Sequence, residues 1–284
     1  MKIAVVYSGE PRTFETVSKQ HRDEFLQGLD YDSYHSTWIK TTPEECTVIE
    51  NSANFKKIAK VDYNCVARTD LWHFEATLLS NRKNHPIFML GRIQHMTAAA
   101  FDLVVKSKID YDIVVRLRYD FKYKGKLIDY LPLVQKSNDV VITTKMGGKS
   151  SPVNVWDGFA FGTFTAMCWY FHFNKWIPFS LFNKDVASWK YQPEFVYGTY
   201  LRHVGLNVID SEVVPQHVYP EGHYVDWHRE KRTVQYYRDL ANFHPEMYTQ
   251  KNGKLTIEND SQWITDEHII NVLQANEGLV CREE

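Results

Sequence analysis

Arg116, Arg118 and Asp120 stand at alternate positions in Tyr111-Asp-Ile-Val-Val-Arg-Leu-Arg-Tyr-Asp120. They close an apolar run, and the period of two in an extended chain sends all three side chains toward one side of the pleat. Two guanidiniums can hold a diphosphate through paired hydrogen bonds, and a carboxylate beside them can hold a divalent cation bridging the same phosphates. The same three residues also suit an internal arginine–carboxylate network at a strand end.

Further candidates lie on either side. Ser8-Gly9-Glu10-Pro11-Arg12-Thr13 follows an apolar run and precedes a helical pattern. Glycine lets backbone approach a ligand, a helix start favours an anion and Arg12 adds charge, so Ser8, Gly9 and Arg12 could contact a phosphate group. The segment is neither a Walker loop nor a dinucleotide fingerprint, and a plain strand-to-helix turn explains it equally. Asp157 opens Asp157-Gly-Phe-Ala-Phe-Gly162, read as a glycine-flanked loop, where a carboxylate could orient an acceptor hydroxyl or take its proton. Asp before Gly is also a common turn signal. Glu194, after Pro193 at a helix start, is a second candidate base or a favourable N-terminal charge. His217, with His223 and His228 in the same aromatic stretch, could complete a metal shell with Asp120 or serve structurally.

These residues need elements to position them. Residues 2–7 form a β-branched, apolar run suited to a strand buried on both faces, and Pro11 then opens a helix carrying Phe14, Val17, His21 and Phe25. Short strands and loops fill residues 31–67, with 36–39 and 47–50 as strand pieces. Helical spacing over 91–108 predicts a long packed helix, followed by strands at 113–117 and 139–143 and a loop at 147–152. A core helix at 163–173, a helix at 193–202 stopped by Gly205 and a strand at 206–209 follow. Residues 221–259 read as an irregular arm, and Thr265 caps a last helix. Alternating strands and helices predict an α/β fold whose mostly parallel central sheet carries helices on both faces, with ligands at the carboxyl ends of the strands.

Bulk properties narrow the classes. A chain of 284 residues with 44% hydrophobic content can bury a large core, expected as one domain over 1–220 with an arm and helix over 221–284 packed on it. A net charge of -2 argues against nucleic acid as a partner. Cys46, Cys65, Cys168 and Cys281 form no CxxC pair and read as reduced thiols of a cytoplasmic protein. The apolar start is too short for a secretory signal, and no stretch approaches the ~20 apolar residues of a membrane span. Eight Trp, 17 Tyr and 16 Phe lean toward stacking on sugars or bases.

Four motifs in order resemble a widespread group of GT-A-like glycosyltransferases from bacterial polysaccharide loci, bacteriophages and large DNA viruses. They are Ser8-Gly9-x-Pro11-Arg12-Thr13-Phe14, Tyr111-Asp112-x-Val114-Val115-Arg116-x-Arg118-x-Asp120, Asp157-Gly-Phe-Ala-Phe-Gly162-x4-Met167 and Pro193-Glu194. The resemblance implies a GT-A-like fold with a Rossmann-like nucleotide-binding half, a nucleoside-diphosphate sugar as donor, a glycan acceptor and often Mn2+ or Mg2+. It implies that Gly9 and Arg12 lie beside the donor, with Arg116, Arg118 and Asp120 at the family's Asp-x-Asp metal position. Arg118 replaces the first Asp of that motif, so Asp120 is the remaining carboxylate there and an arginine could neutralise the leaving diphosphate without metal.

The expected function is sugar transfer from a nucleoside-diphosphate sugar to a glycan hydroxyl, with Asp157 then Glu194 as candidate bases. Two other classes fit the same residues. A nucleotidyltransferase or phosphohydrolase would gather several carboxylates around two metals, and a non-catalytic carbohydrate-binding protein would bind sugar without nucleotide.

Overall fold

The computed structural model describes residues 1–62, 86–134, 137–145, 155–173, 193–211, 213–218, 224–226, 248–251 and 254–257. The run at the start becomes β1 (Ile3–Ser8), six residues all buried. It lies inside a seven-stranded sheet with β2 (Tyr31–Trp38), β3 (Phe55–Val61), β4 (Ile113–Arg118), β6 (Val140–Lys145), β7 (Val155–Thr163) and β8 (Asn207–Asp210). The order is β3-β2-β1-β4-β7-β6-β8. Only β7 runs against the rest: it pairs antiparallel with β4 and β6, while β1 with β2 and β4, β2 with β3, and β6 with β8 are parallel.

Period two divides the core. Ala4, Val6 and Val114 join one cluster, and Ile3, Val5, Tyr7, Ile113, Val115 and Leu117 join the other. The first is covered by α3 (Pro86–Ser107), α4 (Phe164–Phe171) and α5 (Pro193–His203), through Phe101, Val104, Met167, Tyr170, Val196 and Tyr197. The second is covered by α1 (Phe14–Gln20) and a π-helical turn (His21–Phe25), through Phe14 and Phe25. Helix α2 (Pro43–Glu50) adds Ile49 to that side. The expected α/β fold, a mostly parallel sheet with helices on both faces, is present.

Several local expectations are corrected. The first helix begins at Phe14 rather than Pro11 and widens into the π turn that holds His21 and Phe25 inward. Residues 47–50 are helical: Thr42 accepts from the Glu45 N–H while the Glu45 side chain accepts from the Thr42 N–H, a capping box that outweighs three β-branched residues. Residues 157–162 are buried strand β7 rather than loop. The arm expected to be irregular contains β10 (Tyr224–Asp226) and the hairpin β11 (Tyr248–Lys251) with β12 (Lys254–Ile257). Two strands were not anticipated: β5 (Phe121–Lys124) pairs with β9 (Val214–Val218), and β10 extends them to a small three-stranded sheet. The loop at 147–152, the helix after Thr265, and His223 and His228 lie outside the described residues. Among the described residues no helix is long and apolar enough to cross a membrane.

Candidate functional site at the carboxyl edge of the sheet

Parallel register brings the ends of the central strands together. Ser8 is opposite Ser36 on one side and Arg118 on the other. Helix α3 fixes this edge: the Ser8 and Thr97 hydroxyls share a hydrogen bond of 2.8 Å, and Ser36 Oγ donates to the Met96 carbonyl at 2.6 Å. Gly9 follows with a φ of 138°, a conformation that side chains resist, and its N–H donates to the Ser36 carbonyl. Arg12 is exposed and folds onto Glu10, whose carboxylate also faces Lys40. Of the first motif, Ser8 and Gly9 lie at the crevice, and Arg12 is engaged within its own turn.

The second motif divides in two. Arg118 donates from Nε and Nη2 to the two oxygens of Asp120, at 2.8 and 2.7 Å. Pairing of β5 with β9 places His217 opposite Phe121, stacked on its ring, and puts His217 Nε2 3.3 Å from Asp120 Oδ2. Arg118 also lies over the Phe121 ring, 4.9 Å from its centroid. Burial alone would raise the Asp120 carboxyl, but the Arg118 charge and the His217 and Arg118 hydrogen bonds outweigh it and hold the group well below the usual carboxylate range. Burial likewise opposes the Arg118 charge, and Asp120 and then Asp157 more than restore it.

Asp120 and His217, the two expected metal ligands, are thus neighbours. Both carboxylate oxygens nevertheless accept from a guanidinium, which fills the coordination positions a cation would need. Among the described residues no group of three or more His, Cys, Asp or Glu gathers as a metal shell. The donor set therefore does not fit a resident cation in this conformation.

Arg116 is not at the opening. It is 1% exposed, and its one hydrogen bond among the described residues runs from Nη1 to the Leu117 carbonyl at 2.5 Å. Its Nε has no acceptor. A buried guanidinium without a carboxylate is costly, since an unsatisfied buried donor alone costs roughly 1–3 kcal/mol.

Asp157 reaches the same edge because β7 runs antiparallel, so its beginning lies beside the end of β4, which pairs on its other side with β1. The start of β7 is irregular: Thr143 Oγ1 donates to the carbonyls of both Trp156 and Phe159, and the pairing with β6 shifts there. Tyr123 pins this region to β4, donating from its hydroxyl to the Gly158 carbonyl at 3.0 Å and accepting from the Arg118 N–H at 3.1 Å. Asp157 is 9% exposed, and its charge is felt at Arg118 and at Tyr170. Glu194 lies in the first turn of α5, which packs on β7, but its side chain is outside the described residues.

Sequence reasoning missed Tyr123 and Thr97. Each reads as an ordinary core or helix residue, and only strand pairing and helix docking bring them to this edge.

No family model and no curated protein matches the chain. Among solved structures, the apo form of mouse xyloside xylosyltransferase 1 is similar over 74% of this chain and 84% of that one, with a TM-score of 0.42 and 11% sequence identity.

Proposed function

We propose that the chain is a glycosyltransferase that moves a sugar from a nucleoside-diphosphate sugar to a hydroxyl of a glycan acceptor. The observation that supports this most is the meeting of Ser8, Gly9 and Arg118 with Asp157 at one strand edge, where an α/β sheet takes its ligands. Backbone at Gly9 admits a phosphate closely, and Arg118 supplies a partly accessible guanidinium.

In this reading the acceptor oxygen bonds to the anomeric carbon as the bond from that carbon to the diphosphate oxygen breaks. Negative charge then grows on the leaving diphosphate, and Arg118, joined by Arg12 on release from Glu10, stabilises it more in the transition state than in the ground state. The acceptor hydroxyl proton passes to Asp157, with Glu194 as the second candidate base. Mn2+ or Mg2+ would fall to Asp120 and His217 only after Arg118 moves off the carboxylate. Residues 1–220 then form the catalytic domain and 221–284 an arm on it. The motif resemblance extends the proposal to polysaccharide assembly in the cytoplasm.

The test is thermal shift against UDP-, GDP-, CMP- and dTDP-sugars, with and without manganese. A donor at about 100 times its Kd should add roughly 2.7 kcal/mol of stability and raise the melting temperature. If no donor does so, the proposal fails. Stabilisation by free sugars alone would favour a carbohydrate-binding protein.

A further inference from the structure

The Arg118–Asp120 pair decides which kind of ligand this edge can take. Asp120 gives both oxygens to one guanidinium, at 2.8 and 2.7 Å, and Oδ2 also lies 3.3 Å from His217 Nε2. A divalent cation on that carboxylate would have to displace Arg118 or sit against its charge. Such a cation also wants several oxygen ligands, and the described residues gather no third ligating group beside these two. Glu10 offers no second carboxylate, because it already faces Arg12 and Lys40.

An anion meets no such conflict at Arg118. Asp120 takes Nε–H and one hydrogen of Nη2, along one side of the guanidinium plane. Both hydrogens of Nη1 and the second hydrogen of Nη2 lie along the other end of the fork, and no hydrogen bond among the described residues uses Nη1. No buried unpaired atom belongs to Arg118, and its side chain is 29% exposed, so this end opens to solvent. Phe121 fixes the plane from below, with its ring centroid 4.9 Å from the guanidinium carbon. Paired donors on a fixed plane match two phosphate oxygens.

We infer that Arg118 holds the diphosphate end-on through Nη1 and Nη2 while Asp120 clasps the same guanidinium from its side, so that the edge binds its donor without a divalent cation. Asp120, backed by His217, is then a positioning residue. This rests on the proposed donor site and deepens it: the guanidinium stands where the motif resemblance puts Mn2+ or Mg2+.

The experiment is calorimetric titration of the full chain with pyrophosphate, UDP, GDP and dTDP, in EDTA and in excess Mn2+. Wild type should bind in EDTA, and no more tightly in Mn2+. Arg118→Lys keeps the charge without the fork and should lose about tenfold in EDTA. Asp120→Asn keeps an oxygen facing Arg118 and sheds a negative neighbour, so it should bind in EDTA at least as tightly as wild type. Asp120→Ala loses the clasp and should bind about fivefold more weakly than Asp120→Asn, a difference that loss of metal ligation would not give in EDTA. If Arg118→Lys does not fold, the wild-type comparison and the two Asp120 variants still decide.

Nucleoside diphosphate binding that appears only with Mn2+, and is lost in Asp120→Asn, overturns the inference and leaves the proposed function standing. Unchanged affinity of folded Arg118→Lys in EDTA also overturns it, as does equal binding by Asp120→Asn and Asp120→Ala. Arg118-dependent binding of pyrophosphate in EDTA, with no nucleoside diphosphate bound under either condition, keeps the end-on grip and sinks the donor reading.

Discussion

Arg118 and Gly158 face each other across a gap in the β4–β7 ladder that the Tyr123 hydroxyl fills, bonding to both. The last registered pair is Arg116 with Ala160, and each strand then leaves the other by one ladder step. A side chain from the small sheet therefore sets how far the two strands separate where the candidate site lies. Tyr123→Phe would strand a part-buried N–H and a buried carbonyl. Urea unfolding should show a loss of roughly 1–3 kcal/mol with unchanged slope.

Arg118 has one guanidinium and two claims on it. If Asp120 only parks that group in the unliganded protein, Asp120→Asn should bind pyrophosphate more tightly in the presence of chelator, by roughly 1 kcal/mol or about fivefold. Arg118→Gln should weaken the same binding at least tenfold, by about 1.4 kcal/mol or more. Weaker binding in Asp120→Asn, seen only with manganese, would instead identify the carboxylate as a metal ligand.

Two histidines in the second core give stability a pH dependence. Burial lowers His21 to about 4 and His35 to about 3. The His21 tautomer follows from its partners: the Phe121 carbonyl can only accept, so Nε2 carries the proton and Nδ1 accepts from the Tyr7 hydroxyl. Both rings are neutral when folded, whereas the unfolded chain takes up protons below about pH 6.5. Their contribution is complete above that value and is lost as pH falls toward 4, with a slope of roughly 1.4 kcal/mol per pH unit for each ring. His35→Gln should reduce the slope of stability between pH 4 and 6 by about that amount, measured by denaturant unfolding at each pH.

Gly158 has no room for a side chain. A Cβ there would meet the buried Trp156 ring at 2.2 Å, so the indole would have to leave its place against Phe121. Gly158→Ala should destabilise by roughly 1–3 kcal/mol and also weaken pyrophosphate binding, because the Gly158 carbonyl anchors Tyr123. The tryptophan emission should shift to longer wavelength.

What was legible from the chain alone was the part fixed by local pattern. The runs that became β1 and β4, the long helix α3 and the Gly205 stop all declare themselves by period or by breaker. Strand β7 did not, because Gly158 and Gly162 punctuate it like a loop. Both glycines answer instead to crowding, Gly162 by the Val140 carbonyl at 2.8 Å. The alternation of Arg116, Arg118 and Asp120 suggested three equivalent groups, yet the chain turns after Arg118, so one is buried and two close on each other. Asp120 and His217 were named as partners, but the guanidinium between them and any cation depends on that turn.

The Ser8–Arg118 register also bears on the order in which the protein is made. Between these neighbours the chain lays down β2, α2, β3 and α3, and β7 must then be inserted from the far side. No local fragment contains the crevice, and such long-range closure is the slow event in folding. Donor binding is thus a report on completion: a nascent chain that stops short of β7 has Gly9 and Arg118 but lacks Asp157 and the Gly158 carbonyl that anchors Tyr123, and a ligand pulse during refolding would time the closing of the sheet.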